Sequence, residues 1–140
     1  MIQNQLSQKG FSLVELLLVV VIIGILSTVA VPSLMKSRET AEKGAVIGVL
    51  RTMQSHQLIF MAQKKRYARL NELNAITDNT LGTISGSQLI RGNYRFIMSP
   101  TPTNNALTTQ YRIIVYRRVN RTYIPTFLMS QDGVISTIVP

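Results

Sequence analysis

The chain has no cysteine and a single histidine, His56, in 140 residues. Disulfide bridges, cysteine-ligated zinc, c-type haem attachment and a thiol nucleophile are therefore excluded. Acidic residues are also scarce: six Asp and Glu stand against fifteen Lys and Arg, a net charge of +9. Glu72, Asp78 and Asp132 are far apart in sequence, so no metal cluster with plausible ligand spacing exists. No nucleophile can be given a base, and His56 reads as a packing or surface residue. The sequence thus predicts no metal, no cofactor and no enzymatic activity. Aromatic residues, at 6%, are too few for a continuous aromatic stack.

What is present is unevenly placed. Apolar residues make up 46% of the chain, and much of that share lies in the first 35 positions. Leu16 to Val31 carries no charge, and Phe11 to Met35 carries only Glu15. As a helix at about 1.5 Å per residue this stretch spans about 37 Å, enough to cross a hydrocarbon core of about 30 Å. A secretory signal would show a basic start, a shorter apolar region and small residues before a cleavage point. Here the polar leader is short, and the apolar run continues into a long helical pattern. The segment is therefore expected to stay on the mature protein. A carboxylate in such a run costs at least about 2.5–3.5 kcal/mol in hydrocarbon, so Glu15 is a functional hypothesis by default.

The stretch "KGFSLVELLLVVVIIGILSTVAVP", from Lys9 to Pro32, resembles the N-terminus of type IV pilins and of the related pseudopilins of type II secretion systems. The resemblance covers about 25 residues (a length to be read against the span of one membrane helix) and rests on Gly, Phe, Glu and Pro at fixed separations. It implies that a dedicated prepilin peptidase cuts between Gly10 and Phe11 and that Phe11 is then N-methylated. It also implies assembly through Phe11, Glu15, Gly24 and Pro32. The leader departs from many family members in having one basic residue, Lys9.

Chemistry gives these positions content. Cleavage would expose an amine at Phe11, about one helical turn from Glu15 on the same face. Among helices packed without water, a carboxylate is tolerable beside a counter-charge, which the amine of a neighbouring copy would supply. Such a pair adds little net stability but fixes register, because a slipped copy strands both charges. The alternative is that Glu15 snorkels into the headgroup layer of an ordinary anchor. Pro32 removes a helical N–H and crowds the Thr28 carbonyl, so the helix is expected to bend or open there. Gly24 lowers helix propensity upstream. The resemblance implies that Gly24 to Pro32 loosens on leaving the bilayer; a static kink is the other reading.

Helical spacing continues from Ser33 to about Arg66, with Ala41, Ala45, Val49, Met53 and Phe60 as the apolar stripe and Val46, Leu50 and Met61 widening it. Lys36, Arg38, Glu39, Glu42 and Lys43 mark its start as wet and ion-paired, and Gly44 and Gly48 are read as making room for a covering sheet. One helix from Phe11 to near Tyr67 is expected. Residues 67–92 read as a connecting loop with a short helix around Leu70 to Ala75. Four strands follow, Asn93–Ser99, Gln110–Val119, Thr122–Ser130 and Val134–Val139, joined by turns at Val119–Arg121 and Gln131–Gly133. The Pro/Thr/Asn segment Ser99–Thr109 reads as too polar for the core. Pro125 requires a bulge or a sheet edge. The fold class is α+β: a long N-terminal helix, membrane-spanning then amphipathic, packed on a four-stranded antiparallel meander. The expected organisation is a leader 1–10, a transmembrane and polymerisation helix 11–35, and a periplasmic or extracellular globular domain 36–140. Within that domain lie helix 36–66, loop 67–92 and meander 93–139.

Basic residues cluster at Lys64–Arg69 and around the Val119–Arg121 turn. Arg112, Ile114, Tyr116 and Arg118 share one strand face by period-two spacing. Arginine beside tyrosine can hold a phosphate backbone and stack on bases, so Arg112, Tyr116, Arg117, Arg118 and Arg121 are candidate anion or nucleic-acid contacts. A solvated or subunit-contacting face has the same appearance.

The resemblance implies a structural subunit of a type IV pilus-like filament serving adhesion, motility or DNA uptake. The alternatives are a type II secretion pseudopilin and a DNA-binding minor pilin. The implied partners are further copies of the chain, prepilin peptidase, membrane lipid before assembly and the inner-membrane assembly machinery. The implied location is the bacterial inner membrane as a single-pass precursor, then a surface filament or a periplasmic pseudopilus. The calcium site of major secretion pseudopilins uses an acidic C-terminal loop, which "SQDGVISTIVP" lacks, and this counts against a major secretion pseudopilin.

Overall fold

The computed structural model describes residues 10–99 and 101–138. The residues before Gly10, expected as part of a leader, and the last position of the expected strand Val134–Val139 lie outside the described residues. The chain divides into two compact units, Met1–Glu42 and Lys43–Pro140.

Helix α1 runs over Leu13–Lys64, 52 residues without interruption. Its Val/Ile-rich first part has modest helix propensity in water. In hydrocarbon, however, a single segment can satisfy its backbone groups only as a helix. Helical structure continues through Gly24 and Pro32. Just before the proline, Ser27 Oγ donates to the Ile23 carbonyl and Thr28 Oγ1 to the Ile25 carbonyl, both at 2.7 Å. These back-bonds occupy hydroxyls that water would otherwise serve. Downstream, Arg38 and Glu42 pair at 3.2 Å, as the charge spacing predicts. The helix ends where Lys65 turns to φ 57, its N–H still held by the Met61 carbonyl at 3.0 Å.

In the second unit the buried residues of α1 are Val46, Val49, Leu50, Met53, Gln57 and Phe60. They recur every three or four positions and form one cluster with the sheet and the short helix α2, Leu70–Ile76. Ala41 and Ala45 are exposed, which shortens the expected stripe at its N-terminal end. Gly44 and Gly48 are exposed too, with nothing near enough to touch an added Cβ, so they do not make room for the sheet.

The segment leaving α1 is fixed by polar contacts. Gln57, fully buried, donates to the Ala68 carbonyl at 2.8 Å and accepts the Ala68 N–H at 2.7 Å. Arg66 forks onto the Glu72 carboxylate, which also accepts the Arg69 N–H at 2.8 Å and so caps α2. The Arg66 guanidinium, seconded by that N–H, holds Glu72 below the ordinary carboxylate range. A carboxylate depressed in the folded state adds stability above its unfolded pKa and loses it as pH falls through the folded one. Thermal unfolding followed against pH should therefore show an acid decline that Glu72→Gln makes shallower.

The sheet has six strands, not four. They are β1 Thr83–Ser85, β2 Gln88–Arg91, β3 Tyr94–Met98, β4 Arg112–Val119, β5 Thr122–Ser130 and β6 Ile135–Thr137, antiparallel in chain order. The stretch expected as loop 67–92 contains β1 and β2. They pair Ser85 with Gln88 and Arg91 with Tyr94 across two-residue turns, Gly86–Ser87 and Gly92–Asn93. The glycines, at φ 61 and 57, are what make those turns tight. Of the four expected strands Thr122–Ser130 is present in full and the other three with ends trimmed, and the short helix lies where it was expected. The polar segment before β4 does reach the core: Leu107 is fully buried in a 3₁₀ turn, and its carbonyl accepts the Tyr67 N–H at 2.7 Å. Opposite Val115 and Tyr116 the ladder shifts by one residue, so Pro125 sits beside a bulge rather than in regular pairing.

Val119 pairs with Thr122 across Asn120–Arg121, both at positive φ (45 and 69). Asn tolerates this conformation but Arg carries a Cβ penalty there. Arg121→Gly should raise stability by about 0.5–1 kcal/mol, read as a rise in the thermal midpoint. An unchanged or lower midpoint would show that the turn is not strained.

Candidate functional site

Two regions carry the residues singled out by sequence. The first is the N-terminal unit. Phe11 is 73% exposed, and every large apolar side chain from Leu13 to Met35 is also exposed. Glu15 lies in the first turn of α1, where a negative charge is favoured by the helix dipole. Gly10 is exposed and lies just before the helix. Gly24 and Pro32 lie within it, and a Cβ at Gly24 would meet nothing. Nothing in this unit covers the apolar surface, which is long and greasy enough to cross a membrane. Its area far exceeds what a soluble monomer leaves bare.

The second region is the sheet face turned away from the buried cluster. The register sets its rows: Gln88, Ile97, Ile114, Leu128 and Ser136 form one, Ile90, Arg95, Tyr116 and Pro125 the next, and Arg118 with Tyr123 a third. Arg112 pairs with Ser130 on the same side. The structure thus brings Arg112, Tyr116 and Arg118 to one face, as the spacing predicts. Arg117 does not join them: it falls on the opposite face, paired with Tyr94 and Ile124. Arg121 belongs to the turn. Sequence reasoning missed Arg95 and Tyr123. The Arg95 guanidinium lies 4.0 Å from the Tyr123 ring centre and donates to its hydroxyl at 3.0 Å. The alternation of "YRFIM" does place Arg95 opposite the core residues, but its partner on β5 depends on the register shift near Pro125.

The remaining candidates are quickly placed. His56 is half-buried on α1, its Nδ1 without a partner among the described residues. Asp132 sits in the β5–β6 turn, accepting the Ser130 hydroxyl and the Val134 N–H. No group of three potential metal ligands occurs among the described residues. The C-terminal turn, with one carboxylate already engaged, does not fit a calcium site.

Comparison with known proteins addresses the first region directly. Residues 6–31 match the prokaryotic N-terminal methylation motif. Type II secretion system core protein G of Klebsiella michiganensis is 34% identical over 61 residues, 44% of this chain and 43% of that protein. The same protein of Escherichia coli is 31% identical over 65 residues, 46% and 45% of the two chains. The type IV major pilin protein PilA of Myxococcus xanthus is 35% identical over 60 residues, 43% of this chain and 27% of that one. The matched region spans less than half the length of these curated relatives. No solved structure matches the chain significantly. Residues 6–31, which run into the apolar helix, thus carry the prokaryotic N-terminal methylation motif, and the chain is similar to type II secretion system core proteins and to a type IV major pilin.

Proposed function

We propose that this chain is a structural subunit of a helical filament, a type IV pilus or a type II secretion pseudopilus, and not an enzyme. The observation that carries the proposal is the apolar surface exposed from Phe11 to Met35, on and just before α1, with Glu15 as its single charge. Such a surface needs lipid in the precursor and other copies of itself afterwards, and the methylation motif lies on this segment.

In this reading residues 1–10 are a leader removed between Gly10 and Phe11, and Phe11 is N-methylated. Residues 11–35 span the inner membrane and then form the filament core, and 36–140 form the globular part outside it. Exchange of lipid for helix surface brings no large hydrophobic gain, because both are equally apolar. Close packing and the pairing of Glu15 with the Phe11 amine of a neighbouring copy then decide the register. Gly24 and Pro32 supply the place where the helix can loosen during that transfer. Assembly requires prepilin peptidase and an inner-membrane machinery. The core protein G matches support the secretion pseudopilus and the PilA match the surface pilus, while the missing acidic C-terminal loop counts against a major secretion pseudopilin.

Mass spectrometry of assembled material should find a chain beginning at methylated Phe11, and an intact Met1 would overturn the processing scheme. Electron microscopy of sheared surface material separates the two filament types. Long fibres indicate a pilus, and short envelope-bound rods indicate a pseudopilus.

A further inference from the structure

From the outer face of the sheet we infer a binding platform for single-stranded nucleic acid, built by Arg95, Tyr116, Arg118 and Tyr123 and extended by Arg112. The inference goes beyond the filament reading and does not depend on it.

Charge is the first support. Residues 43–140 hold twelve Lys and Arg against three acidic residues, and from Thr83 to Thr137 the only carboxylate is Asp132, in a turn. Six arginines occupy that stretch. Ion pairing within the sheet therefore cannot neutralise them. No hydrogen bond or ion pair engages the guanidinium groups of Arg112 and Arg118 among the described residues. Both are exposed, which leaves them available to an external anion. They lie six positions apart on β4, about 20 Å at 3.3–3.4 Å per residue, so the anion that uses both is extended.

The second support is the position of the rings. Tyr116 and Tyr123 stand in adjacent rows of the same face, each half-buried, flanked by Arg95 and Arg118. Arg95 lies over the Tyr123 ring at 4.0 Å, so the ring holds a guanidinium plane on which a base can stack beside Tyr116. An antiparallel sheet that offers aromatic rings and arginines on an open face stacks unpaired bases and binds the phosphates between them. The neighbouring row Ile97, Ile114 and Leu128 adds an apolar floor. A duplex would reach the arginines but keep its bases from the rings. An acidic polysaccharide or a poly-acidic peptide supplies charge without planar bases.

The test uses the full chain in neutral detergent, with a fluorescent single-stranded oligonucleotide followed by anisotropy. Its competitors are the same sequence as duplex, polyglutamate, a polyuronate and anionic lipid vesicles. The single strand should bind at low salt at least about tenfold better than each competitor. Its log affinity should fall with log salt at a slope of about −2, for three arginine–phosphate contacts. Tyr116→Ala and Tyr123→Ala should each weaken single-strand binding about tenfold and leave duplex binding unchanged. Tyr123→Phe, which keeps the ring and the fold, should bind nearly as wild type. Absence of binding, equal affinity for any competitor, full binding by both alanine variants, or loss in Tyr123→Phe as large as in Tyr123→Ala would each overturn the inference. Thermal unfolding of each variant separates misfolding from lost contacts. Filament formation, scored by microscopy on the same variants, keeps failure here distinct from failure of the filament reading.

Discussion

Glu15→Ala is expected to leave the chain in the membrane and to abolish its assembly. Removing a carboxylate from an apolar segment relieves an insertion cost of a few kcal/mol, so membrane integration should be unchanged or slightly improved. Assembly responds in the opposite direction. Each added copy would bury a Phe11 amine with no partner, and breaking one side of a buried pair costs about 3–5 kcal/mol. At 1.4 kcal/mol per tenfold, that is a penalty of about a hundredfold or more at every junction, which compounds along a filament. Membrane fractionation with electron microscopy reads both halves of the result. Glu15→Gln keeps most of the shape but not the charge and should fail nearly as completely. Wild-type filaments from either variant would mean that the carboxylate is a headgroup-layer residue with no part in register.

The second large effect is expected at Gln57. This side chain is fully buried and spends its donor and its acceptor on one residue, the backbone of Ala68. Gln57→Leu fills similar space but strands the Ala68 N–H and carbonyl in an apolar setting. Each buried orphan costs about 1–3 kcal/mol, which outweighs the gain from a buried leucine. A net loss of about 2–4 kcal/mol corresponds to about 10–20 °C in the thermal midpoint of a domain of about 100 residues. Near-ultraviolet circular dichroism on the full chain would report it, since Tyr67 and Tyr111 pack edge to face beside this clamp with ring centres 4.7 Å apart. An unshifted midpoint would show that the two hydrogen bonds contribute nothing net.

What could be read from sequence followed from how local each cause was. The greasy stretch before Pro32 declares itself by its unbroken composition, and the ion-paired helix start and strands β3 to β5 by spacing within a few residues. β1 and β2 did not, because three or four residues are too short to establish alternation. The turns Gly86–Ser87 and Gly92–Asn93 were the available signal, and glycine is equally at home in a loop. Gln57 was hidden by its own position: a polar residue on an apolar stripe looks like an interruption until its partner, eleven residues on, is known. On the basic face, strand alternation correctly grouped Arg112, Tyr116 and Arg118. It also excluded Arg117 from that group, although nearness in sequence had kept it among the candidates. Arg95 and Tyr123 meet across strands, and their approach rests on a register shift that no single segment encodes.

The strand order β1 to β6 means that every ladder joins chain neighbours. Each hairpin can therefore zip as soon as its second strand is free, from β1 towards β6. No strand waits for a distant mate, which limits the time during which unpaired edges lie open to aggregation.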